Sequence, residues 1–330
     1  MSGASIRHKT VLVVTMGGTI AMTQSEGTGL TPTLSGNRLL EQLREDVAVN
    51  IEIVSRLLVP SSALSFESIR DLAVFLDKNL VRPDLDGAVV VQGTDTIEET
   101  SYLLELLLAT DKPVVVTGAM RSADALGADG PANIVASIKV ASASESAGLG
   151  TLVVLNDKIH SAIRVTKANT SQLNAFCSPN GGPLGVISEG EVSYFNRIFR
   201  RKKIAVKPLS LDSPVALLKI ALSDDGRTVK ALPGLGYKGL VIEGMGGGHL
   251  PAAIVQCVAD ICRVMPVILC SRTGSGAVLT KTYSYPGSEI DLITRGVIPA
   301  QFLNGLKARI LLTVYLASGL AREEIAQVFQ

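Results

Sequence analysis

Short β-branched runs alternate along the chain with segments whose apolar residues recur at helical spacing. The runs are VLVVT (Val11 to Thr15), IEIV (Ile51 to Val54), GAVVV (Gly87 to Val91), PVVVT (Pro113 to Thr117) and TLVVL (Thr151 to Leu155). Between them the pattern predicts helices over Asn37 to Arg44, Glu67 to Leu80, Ile97 to Leu108 and Pro131 to Ala143. A strand that is apolar on both faces must be covered on both faces, as in a parallel sheet flanked by helices. The fold class that follows is α/β.

The middle of the chain breaks this rhythm. VISEGEVSYF (Val186 to Phe195) reads as a hairpin with Gly190 in its turn. RIFRRKKIAVKPLSLDSP (Arg197 to Pro214) is basic, carries two prolines and reads as a solvated linker. Strand–helix alternation then resumes with ALLKIA (Ala216 to Ala221), GLVIEG (Gly239 to Gly244) and PVILCS (Pro266 to Ser271). Pro251 suits the first turn of a helix running through Arg263, and a helical hairpin is expected over Asn304 to Gln330. The expected organisation is an N-terminal domain over residues 1–200, a linker over 201–214 and a C-terminal α/β domain over 215–330.

Composition changes this picture little. The 330 residues, 47% of them hydrophobic, supply ample material for two cores. A net charge of +1 lacks the basic excess that a phosphate-tracking surface needs, which argues against nucleic acid. The apolar runs are far shorter than the roughly 20 residues of a membrane span, and no signal peptide is read at the amino terminus. The four cysteines (Cys177, Cys257, Cys262, Cys270) form no CxxC pair and read as buried thiols of a cytoplasmic protein. The three histidines (His8, His160, His249) are too scattered for a metal motif such as HExxH.

In open α/β sheets ligands bind outside the carboxyl ends of the strands, so the polar residues there carry the chemistry. The first strand ends in TMGGTIAM, with Thr19 just after Gly17 and Gly18. A hydroxyl beside glycine amides fits a nucleophile with oxyanion stabilisation, and it equally fits a capped turn or a phosphate cradle. The third ends in QGTDTIEET, where Thr96 and Glu99 have the spacing of a helix capping box and leave Thr94 and Asp95 over. The fifth strand leads through NDKIHSAIRVTKANT, Asn156 to Thr170, with Lys167 between Thr166 and Asn169. A lysine there is ordinarily solvated. If buried, it could take a proton from a hydroxyl, because burial disfavours the charged amine.

GGTIA with Thr19, QGTDTIEET with Thr94 and Asp95, TGAMR with Ala119, ADGPAN, NDKI and VTKANT with Lys167 occur in this order. Together they resemble the bacterial asparaginase family of L-asparagine amidohydrolases, and the likeness extends from about Val11 to the carboxyl end. It implies a larger N-terminal parallel-sheet domain of flavodoxin-like type and a smaller C-terminal α/β domain. It makes Thr19 the candidate nucleophile, with Thr94, Asp95 and Lys167 handling protons. Ser61, with Ser62 beside it, and the strand end at Gln92 and Gly93 would meet the substrate. Ala119 would offer its carbonyl to the departing nitrogen. A small amide substrate, no metal or cofactor, and a homodimer or homotetramer are implied, with His249 and Tyr283 reaching a neighbouring subunit's site.

The recognition residues depart from the family pattern. The lid stretch Thr23 to Gly36 has no tyrosine, although Ser25, Thr28 and Thr31 offer hydroxyls. Gln92 stands where histidine is usual, and Pro60 where glycine often precedes the serine. His249 replaces an asparagine, and Tyr283 falls near an expected acidic residue, with Glu289 close by. Asparagine hydrolysis is therefore the leading expectation. Glutamine, a D-amino acid amide or a dedicated metabolite amide is the alternative, and a non-catalytic amino-acid sensor is a third reading.

Overall fold

The structure, a computed structural model, describes residues 8–17, 22–25, 29–32, 49–198 and 210–329, with 22–25 and 29–32 described by backbone alone. Thr19, the helix expected over Asn37 to Arg44 and most of the basic linker lie outside these residues. The chain divides into two compact units between Lys202 and Lys203.

The first unit holds β1 (Thr10–Thr15), β2 (Met22–Ser25), β3 (Gly29–Pro32), β4 (Asn50–Ser55), β5 (Gly87–Val91), β6 (Val114–Thr117) and β7 (Thr151–Leu155). It continues with β8 (Lys158–Ser161), β9 (Thr166–Lys167), β10 (Phe176–Cys177), β11 (Gly185–Ser188) and β12 (Glu191–Tyr194). Its helices are α1 (Phe66–Leu80), α2 (Ile97–Leu107) and α3 (Gly130–Ser142). Eight strands form one sheet in the order β12-β11-β8-β7-β6-β5-β1-β4. The five strands from β4 to β7 are parallel, as their apolar runs predict.

The other three strands extend the sheet antiparallel from the β7 edge. Asn156 and Asp157 both adopt positive φ (50° and 57°), which folds β8 back on β7 in a two-residue hairpin turn. The stretch after the fifth strand, Asn156 to Thr170, thus contains β8 and β9. The hairpin expected around Gly190 is β11–β12, with Glu189 and Gly190 at positive φ.

Period-two alternation sorts the strand residues between two faces. Val11, Val13, Val89, Val91 and Val115 form one core with Ile134 and Ile138 of α3. Leu12, Val14, Val90 and Val116 are equally buried and point the other way, the side on which α1 and α2 meet β5, β6 and β7. Ser65 starts α1 with a reciprocal capping box to Ser68, which satisfies two otherwise unpaired donors.

The second unit is a four-stranded parallel sheet in the order β13 (Val215–Lys219), β14 (Gly239–Gly244), β15 (Val267–Ser271) and β16 (Ile298–Pro299). Its helices are α4 (Arg227–Ala231), α5 (Ala252–Cys262), α6 (Glu289–Thr294), α7 (Gly305–Ala317) and α8 (Arg322–Phe329). Pro251 lies one residue earlier than expected, at the N-cap of α5. Leu240, Ile242, Val267 and Leu269 pack with Ile254, Val258 and Ile261 of α5. No helix among the described residues is long and apolar enough to cross a membrane. Cys257, Cys262 and Cys270 are buried thiols, whereas Cys177 is only half-buried, a departure from the expected four.

Candidate active site

The carboxyl ends of β1 and β5 lie side by side, because the two strands pair in parallel from Val11–Gly87 to Thr15–Val91. Beyond β1, Met16 donates its N–H to Val91 O at 2.8 Å. Gly17 then turns at φ 92°, and a Cβ there would strike the Val59 backbone. Only glycine fits so tight an approach. The chain is thereby brought against the segment leading to Pro60 and Ser61. Thr19, two residues on, lies outside the described residues.

Beyond β5, the chain forms a 3-10 turn over Thr94–Thr96 that runs directly into α2. A second such turn, Ser61–Ala63, packs beside it. Thr96 Oγ1 donates to Ser61 O at 3.2 Å, and a Cβ on Gly93 would lie 2.7 Å from Ser61 Oγ. Ser61 is 4% exposed, whereas its neighbour Ser62 is solvent-exposed. The structure thus brings Ser61, Gln92, Gly93, Thr94 and Asp95 together.

The expected Thr96–Glu99 capping box is absent, because the Thr96 side chain makes no cap hydrogen bond. Its hydroxyl is committed to Ser61 O and to the amide of Gln92, whose Nε2 donates to it at 3.2 Å. Gln92 is fully buried. Its Nε2 also donates to Gly93 O at 3.2 Å, so this side chain braces the turn from below.

Lys167 enters from β9. Its Nζ donates to Asp95 Oδ1 at 2.7 Å and to Thr94 Oγ1 at 3.0 Å. The lysine side chain is 17% exposed and that of Asp95 70%, so the pair sits at the rim with the amine turned inward. The ordinary solvated reading of this lysine does not hold.

A residue missed from the sequence holds Lys167 in place. Glu98, in the first turn of α2 and 4% exposed, accepts from Thr166 Oγ1 at 2.7 Å and from the Lys167 N–H at 3.2 Å. The helix that follows the Thr94 turn therefore also anchors the strand that carries the amine. Buried carboxylates persist where they are hydrogen-bonded, which is the signal that structure supplies and sequence hides.

Beyond β6, Ala119 is 1% exposed. A Cβ on the preceding Gly118 would lie 2.5 Å from Gln92 O and 3.2 Å from Thr94 Cγ2, so this loop abuts the same turn. Asp129 accepts the N–H groups of Met120 and Arg121, and Asn133 Nδ2 donates to Gly118 O at 3.0 Å. These contacts account for the ADGPAN motif.

In the second unit, His249 follows β14, and its ring meets those of Tyr283 (5.2 Å between centroids) and Tyr285 (5.5 Å). Its Nε2 lies 3.2 Å from Glu289 Oε2. Burial pushes the Glu289 carboxyl up, but the N–H groups of Tyr283 and Thr282 and the His249 ring outweigh it. The group ends below the ordinary carboxylate range. The sequence reading named His249 and Tyr283 and noted Glu289 nearby, but missed Tyr285. Among the described residues, no three His, Cys, Asp or Glu side chains are grouped to hold a metal ion.

Comparison with known proteins places this geometry. The family model "Asparaginase, N-terminal" matches residues 10–200, and "Glutaminase/Asparaginase C-terminal domain" matches residues 214–329. The chain belongs to the asparaginase family. It is 34% identical to the L-asparaginase of Bacillus licheniformis, over 94% of this chain and 96% of that one. It is 35% identical to L-asparaginase 2 of Bacillus subtilis (strain 168), over 96% and 86%. The solved structure of a probable cytoplasmic L-asparaginase from Campylobacter jejuni superposes with a TM-score of 0.86 at 31% identity, over 97% of this chain and 99% of that one. Membership of the asparaginase family makes the protein an amidohydrolase, and the two α/β units are those that the resemblance implied.

Proposed function

We propose that the protein hydrolyses the side-chain amide of L-asparagine to L-aspartate and ammonia. The observation that carries this reading is the Lys167 amine, shared between Thr94 Oγ1 at 3.0 Å and Asp95 Oδ1 at 2.7 Å at a strand's carboxyl end. An amine on a hydroxyl, itself oriented by a carboxylate, is the arrangement of an activated nucleophile or water.

In this reading the Thr19 hydroxyl adds to the amide carbon, the C–N bond breaks and ammonia leaves with a proton relayed through the Thr94–Lys167–Asp95 group. A water then attacks the resulting ester and frees the acid and Thr19. Backbone N–H groups near Thr19 and Thr94 stabilise the oxyanion. Ser61, Ser62 and Asp95 hold the α-amino and α-carboxylate groups, Gln92 and Gly93 shape the floor, and Ala119 O receives the leaving nitrogen. The protein works in the cytoplasm as a homodimer or homotetramer, with His249 and Tyr283 at the rim of a neighbouring site.

A second reading keeps the chemistry and changes the substrate to glutamine, a D-amino acid amide or another metabolite amide. The departures at His249 and Tyr283 favour it, because packed rings stand there in place of the asparagine and the acidic residue that the family pattern leads one to expect. A single methylene alters discrimination by only about 1–3 kcal/mol, so the two readings are separated by assay. Ammonia release is measured for L-asparagine, L-glutamine, their D-forms and several β-amides. Dominant turnover of L-asparagine supports the first reading. Turnover of another amide with none of asparagine supports the second, and release from no amide overturns both.

A further inference from the structure

The second unit carries a polar chain of three side chains that the threonine chemistry does not use. Glu289 begins α6 and is fully buried. Its Oε1 accepts the N–H groups of Thr282 at 2.8 Å and Tyr283 at 2.7 Å. Its Oε2 faces His249 Nε2 at 3.2 Å, and on the other side of the ring Nδ1 lies 2.9 Å from the Tyr285 hydroxyl.

The directions of these hydrogen bonds follow from the chemistry of the groups. An ionised carboxylate can only accept, so His249 Nε2 carries the ring proton and Nδ1 is left as an acceptor. The Tyr285 hydroxyl then donates inward to Nδ1, and its oxygen lone pairs are turned away from the ring. The imidazole is fixed from its backbone as well, because Met245 and His249 exchange N–H to O=C bonds of 2.9 and 2.8 Å. Gly248 (φ 112°) lets the loop pass against Val278.

We propose that Glu289, His249 and Tyr285 form a carboxylate–imidazole–phenol relay that makes the Tyr285 hydroxyl a nucleophilic, proton-exchanging group. It stands at the carboxyl edge of the second sheet, open to a small electrophile with a carbonyl, sulfonyl or phosphoryl centre. As the phenol oxygen bonds to such a centre, the centre's bond to its leaving group breaks and that group departs with the electron pair, the phenol proton passes to His249 Nδ1, and Glu289 balances the resulting imidazolium. The logic is that of a hydroxyl activated by a base that a third group orients. This deepens the amidohydrolase reading by naming what this edge offers a ligand, and it stands on the second unit's geometry alone.

Tyr283 is a built-in control. It is 44% exposed against 49% for Tyr285, and both rings meet His249 edge-on, at 88° and 70°, but it is the Tyr285 hydroxyl that lies 2.9 Å from His249 Nδ1. The full-length protein is treated with an aryl sulfonyl fluoride, and adducts are located by peptide mass spectrometry. The phenol O–S bond forms, the S–F bond breaks, fluoride leaves, and the proton passes from His249 to solvent. Tyr285 is expected to react at least about tenfold faster than Tyr283, a modest share of what a positioned base supplies. The ratio should fall towards one in His249→Phe and drop in Glu289→Gln. Equal labelling of the two tyrosines in the unaltered protein, or a ratio unchanged in the folded variants, overturns the relay. If His249→Phe does not fold, the ratio in the unaltered protein and in Glu289→Gln still decides. Labelling needs no turnover, so its failure leaves amide hydrolysis standing, and absence of ammonia release leaves the relay standing.

Discussion

Lys167 Nζ stands 3.0 Å from Thr94 Oγ1, although 73 residues of chain separate them. The contact joins the end of β5 to β9 and turns an exposed-looking lysine into a half-buried amine between a hydroxyl and a carboxylate. Methionine has nearly the same length and no proton to exchange. Lys167→Met is expected to lower ammonia release by about 10²–10⁴-fold, the usual scale for a lost acid–base group. Circular dichroism should show the protein folded. A folded variant within a few-fold of full activity would remove Lys167 from the proposed chemistry.

Glu98 positions that lysine from behind, through Thr166 Oγ1 at 2.7 Å and the Lys167 N–H at 3.2 Å. Hydrogen bonds to a charged group contribute about 1.5–3 kcal/mol, so Glu98→Ala should lower kcat by about 10- to 100-fold. KM should change little, because Glu98 holds the amine and not the ligand. Glu98→Gln keeps an acceptor oxygen and should recover much of the loss. A variant that raises KM alone, or a glutamine no better than alanine, would argue for a different role.

How far the sequence carried this picture depended on chemistry as much as on period. The parallel strands were legible because they are apolar on both faces, as at Val89 to Val91. Strand β8 was not, because Lys158, His160 and Ser161 interrupt the pattern while being buried or half-buried. The signal for it lay in Asn156–Asp157, two residues that tolerate positive φ. Thr94, Asp95 and Lys167 were found through their motifs, since neither composition nor periodicity joins positions so far apart. Glu98 escaped because acidic residues are favoured in any first helical turn, a local reason that hid its longer-range one. Tyr285 escaped because only the folded loop sets its hydroxyl against His249 Nδ1.

His160 is expected to make the fold acid-sensitive. It is 1% exposed, and burial, with Lys158 nearby, pulls it down from 6.5 to about 4. The unfolded chain therefore binds a proton that the folded one refuses, and stability rises with pH across that interval. The contribution is complete above about pH 6.5 and is lost as pH falls through about 4. At about 1.4 kcal/mol per pH unit this amounts to about 3 kcal/mol. Urea unfolding at the two ends of the interval should show that loss, and His160→Gln should shrink it. An equal acid loss in the variant would assign the effect to other groups.

Gly93 and Ser61 are matched in size. A Cβ added at Gly93 would sit 2.7 Å from Ser61 Oγ and 3.0 Å from Ser61 Cβ, while the backbone there has an ordinary φ of −66°. The penalty of Gly93→Ala is therefore steric and not conformational. Overpacking of this kind costs about 1–3 kcal/mol, read as a lower midpoint of urea unfolding. In a Ser61→Gly background the obstructing side chain is gone, and most of the cost should disappear, because residues in direct contact do not act additively. Equal costs in both backgrounds would mean that the two turns are not packed as described. In the Gly93→Ala single variant, displacement of Ser61 should also raise KM for the amide more than it lowers kcat, because Ser61 is proposed to hold the substrate and not to react with it.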